Sequence, residues 1–360
     1  MLQDTLRDCL ATLVLPPMEQ DLVSANTVRT LQVSDDQVIL EVVLGFPFEG
    51  VRHEYERLLQ AAIEPAADGR RLALRLTAEI IPHRVQGELQ AMPSVSNVIA
   101  VASGKGGVGK STTAVNLALA LRDEGARVGL LDADIFGPSQ PIMLGIPEGT
   151  RPEVADQRWF LPLMAHGLQT MSMGYLVNET TAVVMRGPKA SGALQQLVHN
   201  TRWDKLDYLI VDMPPGTGDM QLTLAQQVPV AGAVIVTTPQ DIALLDARKG
   251  IEMFRKVGIG VLGIVENMAM HICSNCGHAE HIFGQGGGER IADQYQTALL
   301  GSLPLSLAIR AQADAGAPTV VAAPDGPEAG LYREAARRVG ARLAMQAPGE
   351  RAFPKVVMEP

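Results

Sequence analysis

The chain has 360 residues, a formal net charge of −9, 47% hydrophobic residues and 19% charged residues. This length predicts one large domain and a smaller one, with the composition of an ordinary globular protein. The acidic charge and the lack of a Lys/Arg block argue against a nucleic-acid partner, and short, interrupted apolar runs argue against a membrane span. Because no basic segment precedes an apolar run at the start, a cytoplasmic location is expected.

Residues 1–85 are predicted to form a small α+β domain. Its elements, in chain order, are a helix at Leu2–Leu13, strands at Thr27–Val33 and Gln37–Leu44, a helix at Val51–Ile63 and a strand at Arg71–Ile81. Residues 86–97, with Pro93 and two serines, are typical of a linker.

Residues 98–345 are predicted to alternate buried strands with helices, and residues 346–360 to form a tail. The strands are expected at Val98–Ala102, Val128–Asp132, Leu168–Met173, Tyr208–Asp212, Gly232–Thr237, Val261–Met268 and Leu299–Leu303. The main helices are expected at Lys110–Glu124, Pro188–His199, Asp219–Gln227, Asp241–Val257 and Glu328–Met345. Continuous Val/Ile/Leu runs followed by helices predict an α/β fold, with a mostly parallel sheet covered by helices on both faces.

A phosphate-binding loop is predicted between the first of these strands and the first of these helices. The run from Gly104 to Ser111 satisfies the pattern G-x-x-x-x-G-K-[ST] in this strand–helix context. Glycines allow backbone N–H groups to surround phosphates, and the helix N-terminus adds partial positive charge. Lys110 is expected to reach the β- and γ-phosphates, Ser111 to ligate Mg²⁺, and Thr112 to lie near the α-phosphate. The candidate nucleotide-binding residues of the loop are Gly104, Lys105, Gly106, Gly107, Val108, Gly109, Lys110, Ser111 and Thr112.

Acidic residues follow two of the predicted strands at the same edge of the sheet. Asp212 ends an apolar strand and fits an aspartate that holds Mg²⁺ through water. Asp132 and Asp134 follow the strand Val128–Leu131. A lone aspartate after a strand is often a turn residue, but three at one edge favour a functional site.

The second lysine of the loop, Lys105, makes the motif resemble the deviant Walker A sequence of the MinD/ParA/nitrogenase-iron-protein class. In that class the early lysine acts across a dimer interface on the partner's nucleotide, as an arginine finger does. The resemblance therefore implies an ATPase that closes as a homodimer around ATP, with Lys105, Lys110 and Asp134 as catalytic residues.

Within that class, the chain resembles the Mrp/ApbC family of iron–sulfur cluster carriers over nearly its whole length. The resemblance lies in the segments Leu131–Ser139, Asp212–Asp219, Thr237–Gln240, Glu266–Met268 and Phe283–Gly288. It implies that Asp134 orients the attacking water and that Asn267 contacts the adenine. Residues 1–85 resemble the iron–sulfur-assembly domain often found ahead of this ATPase, although Cys9 matches no cysteine of that domain and is expected in its core.

Cys273 and Cys276 form a C-x-x-C pair that cannot complete a four-ligand metal site alone. Three interpretations compete: a [4Fe–4S] cluster shared by two subunits, a zinc site completed by His278 or His281, and a redox dithiol. The family resemblance implies the first, with transfer of the cluster to apo iron–sulfur client proteins.

Two functions of other classes remain as alternatives. A positioning ATPase of the MinD or ParA type would need a membrane-binding helix or a basic DNA-binding face, and the tail Gly349–Pro360 offers neither. An electron-transfer reductase like the nitrogenase iron protein would also hold a bridging cluster, but that protein takes its ligands from two separated cysteines.

Overall fold

A computed structural model describes residues 2–87, 89–176, 187–273 and 275–348. The predicted tail therefore lies outside the described residues from residue 349 onward. Among the described residues, no helix combines the length and the apolar composition that crossing a bilayer requires.

The amino-terminal part of the chain forms a three-stranded sheet packed against two helices. Its elements are α1 (Leu2–Leu10), β1 (Val28–Val33), β2 (Gln37–Leu44), α2 (Arg52–Ile63) and β3 (Arg71–Ala78). The central strand β2 pairs antiparallel with β1 and parallel with β3. Alternate residues of β2 are buried in the core between sheet and helices: Val38, Leu40, Val42 and Leu44.

The rest of the chain forms a larger α/β unit. Its strands are β4 (Val95–Ala102), β5 (Val128–Asp132), β6 (Val154–Ala155), β7 (Trp159–Phe160), β8 (Leu163–Ala165), β9 (Leu168–Ser172), β10 (Leu206–Asp212), β11 (Gly232–Thr237), β12 (Val261–Glu266), β13 (His271–Ile272), β14 (Ala279–Glu280) and β15 (Leu299–Ser302). Its helices are α3 (Lys110–Asp123), α4 (Gln140–Met143), α5 (Gly187–Asn200), α6 (Asp219–Gln227), α7 (Asp241–Lys256), α8 (Gly287–Gln294), α9 (Leu307–Asp314), α10 (Thr319–Ala322) and α11 (Pro327–Ala344).

Eight of these strands form one sheet in the order β15-β12-β11-β4-β10-β5-β9-β8. Neighbouring strands are parallel except at one edge, where β8 runs antiparallel to β9. Side chains of β4 alternate between two hydrophobic cores: Val98 and Ala100 face one, Ile99 and Val101 the other. The predicted parallel sheet with helices on both faces is confirmed.

Several element ends differ from those expected from the sequence. The strand expected from Val98 begins at Val95, because Val95 pairs with Leu206 of β10. The strand expected to reach Met268 ends at Glu266, since Met268 adopts a positive φ of 57° that extended backbone does not allow. Three short strands between residues 154 and 165 had no sequence signal, because two or three residues are too few to show alternation.

Candidate functional site

The phosphate-binding loop connects β4 to α3, as the motif predicts. Two of its glycines are required by close approach. A Cβ atom on Gly104 would lie 2.1 Å from the backbone oxygen of Asp246 in α7. Gly109, the residue before α3, has a φ of 83°, and a Cβ there would lie 2.1 Å from the Asn267 side-chain nitrogen. The loop therefore packs closely against α7 and against Asn267, which directly follows β12.

Lys110 begins α3 with its side chain buried beneath the loop. Its Nζ forms an ion pair with the buried Asp212 carboxylate and donates to Ser111 Oγ at 3.0 Å. The amino group, the hydroxyl and the carboxylate thus converge at one point. Hydroxyl and carboxylate oxygens are ligands that suit Mg²⁺, so Ser111 and Asp212 fit the predicted metal pair.

Gln140, the first residue of α4, also contacts this group and was not identified from the sequence. Its Nε2 donates to the second oxygen of Asp212 at 2.8 Å and to the Ser111 carbonyl at 3.1 Å. The Gln140 side chain is almost fully buried. The only sequence signal was its position, directly after the segment that resembles the family's switch region.

Asp132 ends β5 beside Asp212, and its carboxylate is occupied by donors of the protein itself. Oδ2 accepts the backbone N–H groups of Ser139 and Gln140 and the hydroxyl of Ser172, each at 3.1 Å. Burial, with the Asp212 carboxylate as a second cause, raises the pKa of Asp132 to about 7. The Asp132 carboxylate therefore stabilises the backbone of the segment after β5 through buried hydrogen bonds.

Asp134 lies two residues farther along and is half-buried at a cleft of about 300 Å³. Burial raises the pKa of Asp134, while the Lys110 ammonium opposes that shift. The cleft is lined by Asp134 together with Ser103, Gly106, Gly107, Gly109, Lys110, Ser111, Thr112, Gly137, Ser139, Met143 and Pro215. Six of the nine predicted loop residues and Asp134 therefore share one cavity.

Lys105, within the loop, and Asn267, after β12, do not line this cleft. Lys105 is half-buried, and its carbonyl accepts the Ser103 hydroxyl at 2.8 Å. Asn267 Nδ2 donates to the carbonyl of Val108 at 2.8 Å. Asn267 thus holds the loop backbone, and its expected contact with adenine stays a prediction.

Cys273 and Cys276 lie at the tip of a short hairpin formed by β13 and β14. The Cys273 N–H donates to the His278 carbonyl at 2.9 Å, and the Gly277 N–H donates to the Cys273 carbonyl at 2.8 Å. Backbone N–H groups of Asn275 and Cys276 lower the pKa of the Cys273 thiol. Because Cys276 is exposed and Cys273 is half-buried, both thiols are accessible as ligands for a metal centre at the protein surface.

The zinc alternative within one chain finds no support among the described residues. No group of three or more His, Cys, Asp or Glu side chains there is placed to hold a metal ion. His281 Nδ1 instead lies 2.7 Å from the Ala269 carbonyl, and His278 contributes its backbone carbonyl to the hairpin.

Comparison with known protein families assigns both parts of the chain. Residues 94–340 match the family described as NUBPL iron-transfer P-loop NTPase, and residues 3–71 match the iron–sulfur cluster assembly protein family. The chain belongs to this family of P-loop NTPases. The predicted P-loop ATPase and the resemblance to iron–sulfur cluster carriers are thereby confirmed.

Individual relatives agree with this assignment. An iron–sulfur cluster carrier protein of Escherichia coli K12 is 49% identical over 347 residues, covering 96% of this chain and 94% of its own. A nucleotide-binding protein of Archaeoglobus fulgidus in complex with ADP is 37% identical, with a TM-score of 0.56, covering 62% of this chain and 87% of its own. The Pyrococcus furiosus cell division ATPase MinD, at 24% identity and a TM-score of 0.53, covers 68% of this chain and 98% of its own and shows the shared fold alone.

Proposed function

We propose that this P-loop ATPase works in the cytoplasm as a homodimer, binds one [4Fe–4S] cluster as cargo between its subunits, and transfers the cluster to apo-proteins. The observation that carries the proposal is the cysteine hairpin. It presents two thiols on the surface and no third ligand among the described residues nearby. Because a [4Fe–4S] cluster takes four thiolates, a second copy of the chain supplies the missing pair.

The nucleotide site supports the hydrolytic half of the proposal. The N–H groups of the loop and the Lys110 ammonium bind the phosphates of ATP, and the Ser111 hydroxyl with Asp212 holds Mg²⁺, which neutralises phosphate charge. On binding, Lys110 turns from the Asp212 carboxylate towards the β- and γ-phosphates. Asp134, at the mouth of the same cleft, orients the attacking water, and Thr112 lies near the α-phosphate.

The homodimer draws support from exposed apolar side chains on α7 and around the cysteine hairpin. Ile242 and Leu245, on α7, are 71% and 54% exposed, and Ile272 and Ile282, beside the hairpin, are 53% and 50% exposed. The same helix packs its Asp246 backbone against Gly104. A second copy that covers this apolar surface would meet Lys105, which neighbours Gly104, and would be positioned to receive that lysine at its nucleotide.

The division of the chain belongs to the same proposal. Residues 1–85 form an assembly domain, residues 98–345 belong to the ATPase domain and residues 346–360 form a tail. The linker expected over residues 86–97 ends at residue 94, because β4 of the ATPase domain begins at Val95. The hairpin thus belongs to the ATPase domain and not to the assembly domain.

Anaerobic reconstitution tests this function. The purified chain, supplied with iron and sulfide, is expected to take up about four irons per dimer and to show broad visible absorption from thiolate-to-iron charge transfer. Mixing with an apo-enzyme that needs a [4Fe–4S] cluster should then restore that enzyme's activity. Tight stoichiometric zinc binding without iron uptake would refute the carrier function.

A further inference from the structure

The amino-terminal part of the chain contacts the far ends of two helices whose near ends lie at the nucleotide site. Helix α3 begins at Lys110, and α6 begins at Asp219, shortly after Asp212. The carboxyl ends of both helices face segments that precede β4. One contact is made by Gln86 in the linker, the other by Glu49 and Gly50 in the small domain.

Gln86 closes the carboxyl end of α6 with its buried side chain. Its Nε2 donates to the carbonyls of Ala225 and Val228, each at 2.6 Å, and its Oε1 accepts the Val230 N–H at 2.9 Å. The carbonyl of Ala225 would normally bond to the N–H four residues later, but that residue is Pro229, which has none. The linker therefore supplies a donor that the helix itself lacks.

Glu124 joins the end of α3 to the small domain. Its carbonyl accepts the Glu49 N–H at 3.0 Å, and its carboxylate accepts the Gly50 N–H at 3.0 Å. Arg337 of α11 pairs with the other oxygen of the same carboxylate, which is fully buried. Glu124, the residue directly after α3, is thus fixed by both the small domain and the carboxyl-terminal helix.

We infer that the small amino-terminal domain senses the nucleotide state through these two contacts, Gln86 with α6 and Glu124 with the segment Glu49–Gly50. The inference rests on the proposed nucleotide site. It assigns to Gln86 the role of a positioning residue, which acts on the site through α6 rather than on the substrate.

The physical reason lies in the stiffness of the helices and in the burial of the contacts. A helix moves as a rigid rod, so a shift of its first turn towards or away from phosphates is carried to its last turn. At that end, the linker must follow, since separation would leave buried N–H and carbonyl groups without partners. Coupling of this kind is reciprocal. If a partner binds and displaces the small domain, it must change the affinity for nucleotide by the same factor by which nucleotide changes the affinity for that partner.

Hydrogen–deuterium exchange of the full chain tests the inference. Binding of a non-hydrolysable ATP analogue with Mg²⁺ is first measured by calorimetry. At saturation, amides of residues 219–231 should change exchange rate, and amides of residues 45–51 and 84–87 should change with them by about fivefold, the lower range of ordinary coupling. Binding without any change at residues 45–51 and 84–87 overturns the inference but leaves the nucleotide site intact. An absence of binding overturns the nucleotide site itself.

Two substitutions separate signal transmission from simple support of the fold. Gln86→Met keeps the side-chain volume but removes all three hydrogen bonds, and Gln86→Glu keeps only the acceptor for Val230. Both should still bind the analogue and still show changes at residues 219–231, while the response at residues 84–87 falls and that at residues 45–51, which depends on Glu124, remains. Gln90→Met, an exposed glutamine of the same linker, is the matched control and should respond as the wild type does. A full response at residues 84–87 in both Gln86 variants would refute its role.

Discussion

Asp132 and Asp212 are register partners at the ends of the neighbouring parallel strands β5 and β10. Their carboxylates nevertheless have opposite surroundings. Among the described residues, the donors to Asp132 are backbone N–H groups and a hydroxyl, whereas Asp212 faces the Lys110 ammonium and the Gln140 amide. The two carboxylates therefore have different roles. Asp132 stabilises the segment that carries Asp134, and Asp212 faces the phosphate-binding loop.

Lys110→Ala should abolish ATP hydrolysis and weaken nucleotide binding, because the phosphates lose a buried cation. The variant also leaves the Asp212 carboxylate without its charged partner, which should lower the free energy of unfolding by about 3–5 kcal/mol. Nucleotide titration and chemical denaturation measure the two effects separately. Lys256→Ala, at an exposed lysine of α7, is the control and should change neither. Wild-type turnover in a folded Lys110→Ala protein would contradict the site.

Gln140→Leu should lower the affinity of the nucleotide-bound protein for Mg²⁺, since the Asp212 carboxylate loses the amide that orients it. We expect the free energy of unfolding to fall by about 1–3 kcal/mol, the usual loss when a buried acceptor is left without a partner. Denaturation curves and Mg²⁺ titrations at fixed nucleotide provide the measurements. Gln32→Leu, at an exposed position of β1, serves as the control. Unchanged Mg²⁺ affinity would make Gln140 a packing residue only.

The sequence predicted the phosphate-binding loop and its sheet because both signals are local. The strand Val98–Ala102 is a continuous apolar run, and the glycines and lysines of the motif begin after a single residue, Ser103. Gln140 and Ser172 escaped prediction because their partners, Asp212 and Asp132, are brought to them only by strand order. The hairpin of Cys273 was missed for another reason: its two-residue strands depend on backbone bonds that leave no pattern in the side chains.

Mixing two inactive variants should show whether Lys105 acts across a dimer. Lys105→Ala should lose hydrolysis more than nucleotide binding, because the missing cation belongs to the partner's site. Asp134→Ala should also be inactive, since it cannot orient water. In a mixed dimer, the Asp134→Ala subunit supplies its Lys105 to a site that keeps its own Asp134, and part of the activity should return. No recovery where mixed dimers demonstrably form would argue against action in trans.

Replacing either cysteine of the hairpin should abolish stable cluster binding rather than halve it. Because each chain offers one pair, Cys273→Ala or Cys276→Ala removes two of the four thiolates from a dimer at once. Reconstituted variants should lose the iron and the charge-transfer absorption of the wild type, and they should fail to activate an apo-enzyme. Nucleotide binding should persist, since the site at Lys110 is built on other strand ends.

Cys9→Ala provides the matched control for that experiment. Cys9 lies on α1 and packs against the core of the small domain, so its loss should leave iron uptake unchanged. The iron content of wild type, control and both hairpin variants is compared with bound zinc measured in the same samples. Retention of half the iron in a single hairpin variant would indicate a cluster within each chain. Loss of iron in the Cys9 variant alone would instead place the cargo site in the small domain, and either result would refute the shared cluster.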